Sequence, residues 1–151
     1  MKRSLWISIS ALALIGLALS HPALPGSGGT AFAAEKPYRV VFDLTSRDSL
    51  DQKAVMRWIR EISASSPKAE LEVVMYGKGF ELVMPDRTTK LSDVQEAVKN
   101  PNVTFKVCEI ALKNNNVPRE QIIKEAQTVP DGIHEIVMRQ QEGWGYIKVG
   151  H

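Results

Sequence analysis

The chain has 151 residues, with 19 Lys and Arg against 17 Asp and Glu, one cysteine and three histidines. So even a balance, with no Lys/Arg cluster interleaved with aromatic residues, excludes the electrostatic footprint of a nucleic-acid binder. One cysteine and no Cys/His cluster argue against a transition-metal site.

At the start of the chain, Lys2 and Arg3 precede an uncharged apolar run, Leu5 to Leu19. "HPALPGSGGT" follows, then small residues at Ala31 and Ala33. This is the layout of a secretory signal peptide, with a cut expected between Ala33 and Ala34. The apolar run is shorter than the roughly 18–20 residues that span a bilayer, so no stable membrane anchor is expected after cleavage. No cysteine lies near the cut, which argues against a bacterial-type lipoprotein, and Lys2-Arg3 lacks the twin arginine of a folded-export signal. The expected organisation is a leader, residues 1–33, and a single domain, residues 34–151, in a periplasm or outside the cell. The leader contains two basic residues and no acidic one, so the mature chain is formally neutral; the pI near 8.7 belongs to the precursor.

"YRVVFDLT" (Tyr38–Thr45) is rich in β-branched residues and predicts a strand buried on both faces. A helix follows in "SRDSLDQKAVMRWIREISASS". Asp48 is its N-cap, Leu50, Ala54, Val55, Trp58, Ile59 and Ile62 form the inward face, and Lys53, Arg57, Arg60 and Glu61 the outer side. "LEVVMYG" predicts a second strand, and "KGFELVMP" fits either a short strand or an ordered loop. "SDVQEAVKNP" carries a capping box, Ser92 with Gln95, and a stop at Pro101. "VTFKV" is a third strand leading into Cys108, after which "CEIALKN" turns to helix formers. Pro118 predicts a helix start in "VPREQIIKEA". "QTVP" is a fourth strand, "DGIHEIVMRQQ" a helix with Ile133, Ile136 and Val137 inward, and "GYIKVG" a closing strand.

Strands alternating with helices predict an α/β fold, a parallel sheet with helices on both faces. Ligands in such sheets bind beyond the carboxyl ends of the strands, where strand-to-helix loops gather. Strand order does not follow from the pattern. The junctions are "DLTSRDS", "YGKG", "VCEI" and "VPDG". They supply Asp43, Thr45, Ser46, Gly77, Gly79 and Glu109 as candidate pocket residues and Cys108 as candidate nucleophile. A thiol at the first turn of a helix faces unpaired N–H groups and the positive end of the helix dipole, which favour the thiolate. Glu109 opposes this, Lys106 shares a strand face with Cys108, and Lys113 lies on the following helix. Free cysteine is also among the most buried residue types, so plain packing is the competing reading.

Other chemistries fit less well. Gly77-Lys78-Gly79 is not a P-loop and lacks a third glycine, with Leu82 in its place, so a tight turn is the simpler reading. Asp43 suits either a pocket carboxylate or a cap of the next loop. His134 falls opposite the apolar side of its helix, and a Cys–His dyad would require it to cross the fold to Cys108. Trp144 and Tyr146 read as core or subunit-contact aromatics. No Gly-x-Ser-x-Gly elbow is present.

The pieces "VVFDLTS", "LEVVMYGKGFELV", "VTFKVCEIALKNNNV" and "TVPDGIHEIVMRQQEGWGYIKVG", spanning most of residues 38–150, resemble the DsrE/DsrF-like family of sulfur-handling domains, in particular its exported branch. The resemblance implies a three-layer α/β/α fold with a five-stranded, mainly parallel sheet, assembly into homo-oligomers (trimers or hexamers), and no cofactor. In the family's sulfur-relay members, a cysteine at a strand-to-helix junction carries sulfane sulfur as a persulfide and passes it to a partner protein. Cys108 matches that position. The best-known relay members are cytoplasmic, whereas this chain is expected to carry an export leader, so the sulfur donor and acceptor stay open. The two function readings are a sulfur carrier acting through Cys108 and a non-catalytic oligomeric binding module in which Cys108 is core.

Overall fold

The structure is a computed structural model that describes residues 37–150. The expected leader, its cut and His151 lie outside the described residues. Five strands form one sheet: β1 (Arg39–Leu44), β2 (Glu70–Met75), β3 (Val103–Cys108), β4 (Gln127–Val129) and β5 (Gly145–Val149). Their order is β4-β3-β2-β1-β5, and every pairing is parallel. Four α-helices complete the α/β fold: α1 (Ser49–Ser65), α2 (Leu91–Ala97), α3 (Glu109–Asn114) and α4 (Gly132–Gln141). Among the described residues no helix is long and apolar enough to cross a membrane.

The strand order explains the layering. From β1 to β4 each crossover steps in one direction across the sheet, and right-handed crossovers in one direction lie on one face. Accordingly Val55 and Ile59 of α1, Val94 of α2 and Leu112 of α3 share one apolar core with Phe42, Val73 and Phe105 of the sheet. The last crossover runs back from β4 to the far side of β1, which places α4 on the opposite face. There Ile136 packs with Val41 and Val74 in a much smaller cluster.

Asp48 caps α1 as expected: its Oδ1 accepts from the Leu50 N–H at 2.7 Å. Four local expectations are corrected. Leu50 is 68% exposed while Asp51 and Gln52 turn inward, so the buried face of α1 is rotated from the apolar stripe. "KGFELVMP" is neither strand nor loop but a buried 3-10 helix, Gly79–Val83, driven inward by Phe80, Leu82 and Val83. The Ser92–Gln95 capping box does not form: α2 begins at Leu91, and Thr88 Oγ1 accepts from the Lys90 N–H instead. After Pro118 there is only a 3-10 turn, Arg119–Gln121. The Arg119 guanidinium donates to the carbonyls of Ile122, Ile123 and Ala126, satisfying backbone acceptors that a helix would have used.

The inward face of α4 differs most. Ile136 is buried, but Ile133 and Val137 are 58% and 43% exposed. The residues that turn inward beside Ile136 are charged, because the sheet beneath them is charged. Glu72 of β2 and Lys106 of β3 rise from that face and pair at 3.0 Å. Glu135 of α4 meets Lys106 at 2.6 Å, and Arg139 meets Glu72 at 3.1 Å and Glu135 at 3.0 Å. Burial pushes the Glu135 carboxyl up, but its hydrogen bond to Lys106 and the charges of Lys106 and Arg139 outweigh this and hold it below its usual value. Burial likewise disfavours the Arg139 cation, yet hydrogen bonds to Glu72 and Glu142 raise its pKa overall.

Candidate functional site

The sheet has one interior place where neighbouring strands send their chains to opposite faces. β3 continues into α3 on one side and its neighbour β4 into α4 on the other. Such a switch point opens a crevice at the carboxyl ends of the strands. A cleft of about 240 Å³ is found there, walled by Tyr76 and Gly77 after β2, Cys108 and Ile110 around the start of α3, and Asp131 and Ile133 around the start of α4. Hollows of about 260 and 280 Å³ lie elsewhere, so size does not single this one out. Its distinction is the thiol.

Cys108 is a free cysteine, 4% exposed, at the N-cap of α3. Its backbone is extended (φ −68°, ψ 120°), and its side chain makes no capping hydrogen bond. A cysteine thus occupies the place where Ser, Thr, Asp or Asn would normally satisfy the first-turn N–H groups. The start of α4 comes close because residue 132 is glycine. A Cβ there would stand 3.1 Å from Cys108 Cβ and 3.2 Å from Val74 Cγ1. Asp131 caps α4, its Oδ1 accepting from the N–H groups of Ile133 and His134 at 2.8 and 3.4 Å. On the far wall Asn115 Nδ2 donates to the carbonyls of Ala111 at 2.7 Å and Gly77 at 3.4 Å, tying α3 to the turn after β2.

Of the residues named from sequence, the structure brings only Cys108 and Gly77 into this cleft. Glu109 is exposed at the start of α3. Thr45 and Ser46 belong to the β1–α1 loop, where the Thr45 carbonyl accepts from the Lys78 N–H and Ser46 Oγ from the Asp48 N–H. Gly79 serves close packing, since a Cβ there would fall 1.9 Å from the Leu44 carbonyl oxygen. Lys106 shares a face with Cys108, but its ammonium is held by Glu72 and Glu135. His134 is exposed.

Asp43 is neither a wall of the cleft nor a loop cap. It is 3% exposed on the α4 side of the sheet, where its Oδ2 accepts from the Tyr146 hydroxyl at 2.6 Å and the Tyr76 hydroxyl at 3.2 Å. Lys148 stands 3.6 Å away, and Asp43 Oδ1 has no hydrogen-bond partner. The hydrogen bond to Asp43, with burial and the charge of Asp43, pushes the Tyr146 phenol up to about 12. Burial first, then Asp43, raises Tyr76 as well. Tyr76 therefore links two places: it lines the cleft, and its hydroxyl is anchored on Asp43. Trp144 is half-buried, with the guanidinium groups of Arg39 and Arg139 over its ring, 5.6 and 4.9 Å from the ring centre.

Sequence reasoning located the "YGKG", "VCEI" and "VPDG" junctions but did not single out Tyr76, Asn115 or Asp131. Asp131 had a legible signal, an Asp directly before a helix in a strand-to-helix junction. Tyr76 and Asn115 had none, because their roles depend on which strands are neighbours. Among the described residues no group of three or more His, Cys, Asp or Glu side chains is placed to hold a metal ion.

No protein-family model matches the chain, and no curated protein matches it. Several solved structures do, two of which follow. A protein of unknown function from Methanobacterium thermoautotrophicum matches with a TM-score of 0.69 and 29% identity, over 74% of this chain and 98% of that one. A conserved protein of unknown function from Bacteroides thetaiotaomicron matches with a TM-score of 0.55 and 14% identity, over 74% of this chain and 95% of that one. The chain is thus similar to two whole solved proteins, and what it shares with both is this α/β fold.

Proposed function

We propose that the protein is a sulfur carrier of the DsrE/DsrF-like kind, with Cys108 as the carrier. The observation that supports this reading most is the placement of the chain's one thiol at an uncapped helix start, in the wall of a cleft at the sheet's switch point. In the reaction, the Cys108 thiolate attacks the outer, sulfane sulfur of a donor. The donor's S–S bond breaks, its remaining fragment leaves with the electron pair, and Cys108 holds Cys–S–S⁻. An acceptor thiolate then attacks that outer sulfur and restores the Cys108 thiolate, with no net oxidation. The first-turn N–H groups of α3, which no side chain caps, suit an anionic sulfur at this position. In this reading the mature protein is exported and works as a homo-oligomer; the leader-like residues 1–33 and the family resemblance support those two points.

A second reading has an observation of its own. Cys108 is 96% buried and belongs to the main apolar core, as a packing residue in a non-catalytic binding module would. The readings separate by mass spectrometry of the full chain after exposure to inorganic polysulfide or an organic thiosulfonate, with parallel alkylation of the native protein. The carrier reading expects a one-sulfur adduct that is absent in Cys108→Ser. An alkylated Cys108 that gains sulfur from no donor overturns it.

A further inference from the structure

The walls of the Cys108 cleft carry information about the donor. Four of its lining residues are apolar or aromatic, Tyr76, Ile110, Ala111 and Ile133, and Ile110 and Ile133 expose 49% and 58% of their surface beside the opening. Asn114 and Asn115 are neutral. The one charged side chain in the lining is the Asp131 carboxylate. None of the lining residues is cationic. The lysine nearest along the strand, Lys106, is 9% exposed and bound to two carboxylates, so turning toward the sulfur would break both ion pairs and leave Arg139 as the one cation shared by Glu72 and Glu135. A compact inorganic polyanion entering here would exchange its hydration for apolar walls and one like charge. A donor with an apolar body would bury that body against Ile110, Ile133 and Tyr76 and keep only its sulfane end near Cys108.

Building on the carrier reading, we infer that the cleft selects a sulfane donor with an apolar organic body, of the type R–SO₂–S⁻ or R–S–SH, over thiosulfate. With an aryl thiosulfonate the Cys108 thiolate takes the outer sulfur, the S–S bond breaks, and the aryl sulfinate leaves with the bonding pair. The charge and oxidation balance is that of the thiosulfate reaction, in which sulfite leaves. Asp131 sets the discrimination by its charge, independently of its cap, since asparagine caps a helix start equally well.

The test uses the full-length chain and measures rates of sulfur loading on Cys108 from benzenethiosulfonate and thiosulfate, each divided by the rate for a free small thiol with the same donor. A neutral thiol reagent, methyl methanethiosulfonate, reports access to Cys108 in parallel. The expected normalised ratio favours benzenethiosulfonate by about tenfold or more, as for one aromatic ring's worth of apolar contact. Asp131→Asn is expected to raise the thiosulfate rate several-fold and to change the benzenethiosulfonate rate less. Equal normalised rates, or a preference for thiosulfate, overturn the donor inference and leave the carrier reading standing. An Asp131→Asn protein with an unchanged ratio overturns the role given to Asp131. Labelling by the neutral reagent without loading from either donor overturns the carrier reading itself, and resistance to all three reagents assigns Cys108 to the core.

Discussion

The two faces of the sheet are built on different physics. On one, three helices cover a continuous apolar layer in which Phe42, Leu44, Val73, Phe105 and Val107 are at most 1% exposed. On the other, a single helix lies over a charged centre made of Glu72, Lys106, Glu135 and Arg139, beside a small buried cluster of Val41, Val74 and Ile136. The first face derives its stability from area removed from water, which is non-directional. The second depends on geometry, because buried charges offset their lost hydration only while each keeps its partners. Cys108 joins the apolar core while the start of α4 packs against it from the second face, so the candidate site lies where the two halves meet.

That contrast can be broken from either side. The largest effect is expected on the apolar face: Phe105→Ala, at a residue 1% exposed, should lower stability by about 3–5 kcal/mol, read from the midpoint of denaturant unfolding. A loss under about 1 kcal/mol would mean that this layer is not the main core. On the charged face Glu72→Ala leaves Lys106 and Arg139 sharing the Glu135 carboxylate and should cost about 3 kcal/mol, toward the low end for a buried pair because Arg139 is 23% exposed. Replacing Glu72, Lys106, Glu135 and Arg139 together by apolar residues of similar volume should cost much less than that single change. If it costs more, the network contributes net stability rather than merely satisfying itself.

The smallest effect is a pH dependence confined to the charged face. The folded Glu135 carboxyl titrates below its usual value of 4.5, so its contribution is complete above that value and is lost as pH falls through the lower folded value. Thermal unfolding temperatures should therefore decline on acidification from about pH 4.5 downward, and less steeply in Glu135→Gln. Identical acid limbs in the two proteins would remove Glu135 from the account.

The same contrast explains what was legible in the sequence. Strands β1 to β3 could be read because both of their neighbouring layers need apolar or well-paired residues, and "YRVVFDLT", "LEVVMYG" and "VTFKV" advertise that. α4 was misread at Ile133 and Val137 because its partner surface is charged, so inward positions are held by Glu135 and Arg139 and apolar periodicity points the wrong way. Asp43 was visible as a carboxylate at a strand end, but its partner Tyr146 lies 103 residues away on the strand that returns to pair with β1. Asn115 likewise acquires its role from contact with Gly77, 38 residues distant.

Alone, the amino-acid sequence determined the alternation of strands and helices, hence the parallel α/β class, and the position of the single thiol where a strand turns into a helix. These are local properties, set by side-chain period and by the chemistry of helix starts. Only the tertiary structure decided which strand ends are neighbours. The order β4-β3-β2-β1-β5 sends α4 to the opposite face from α3, opens the crevice beside Cys108, and brings Tyr76, Asn115 and Asp131 around it. That order follows from how long-range packing divides an apolar face from a charged one, and no local pattern encodes it.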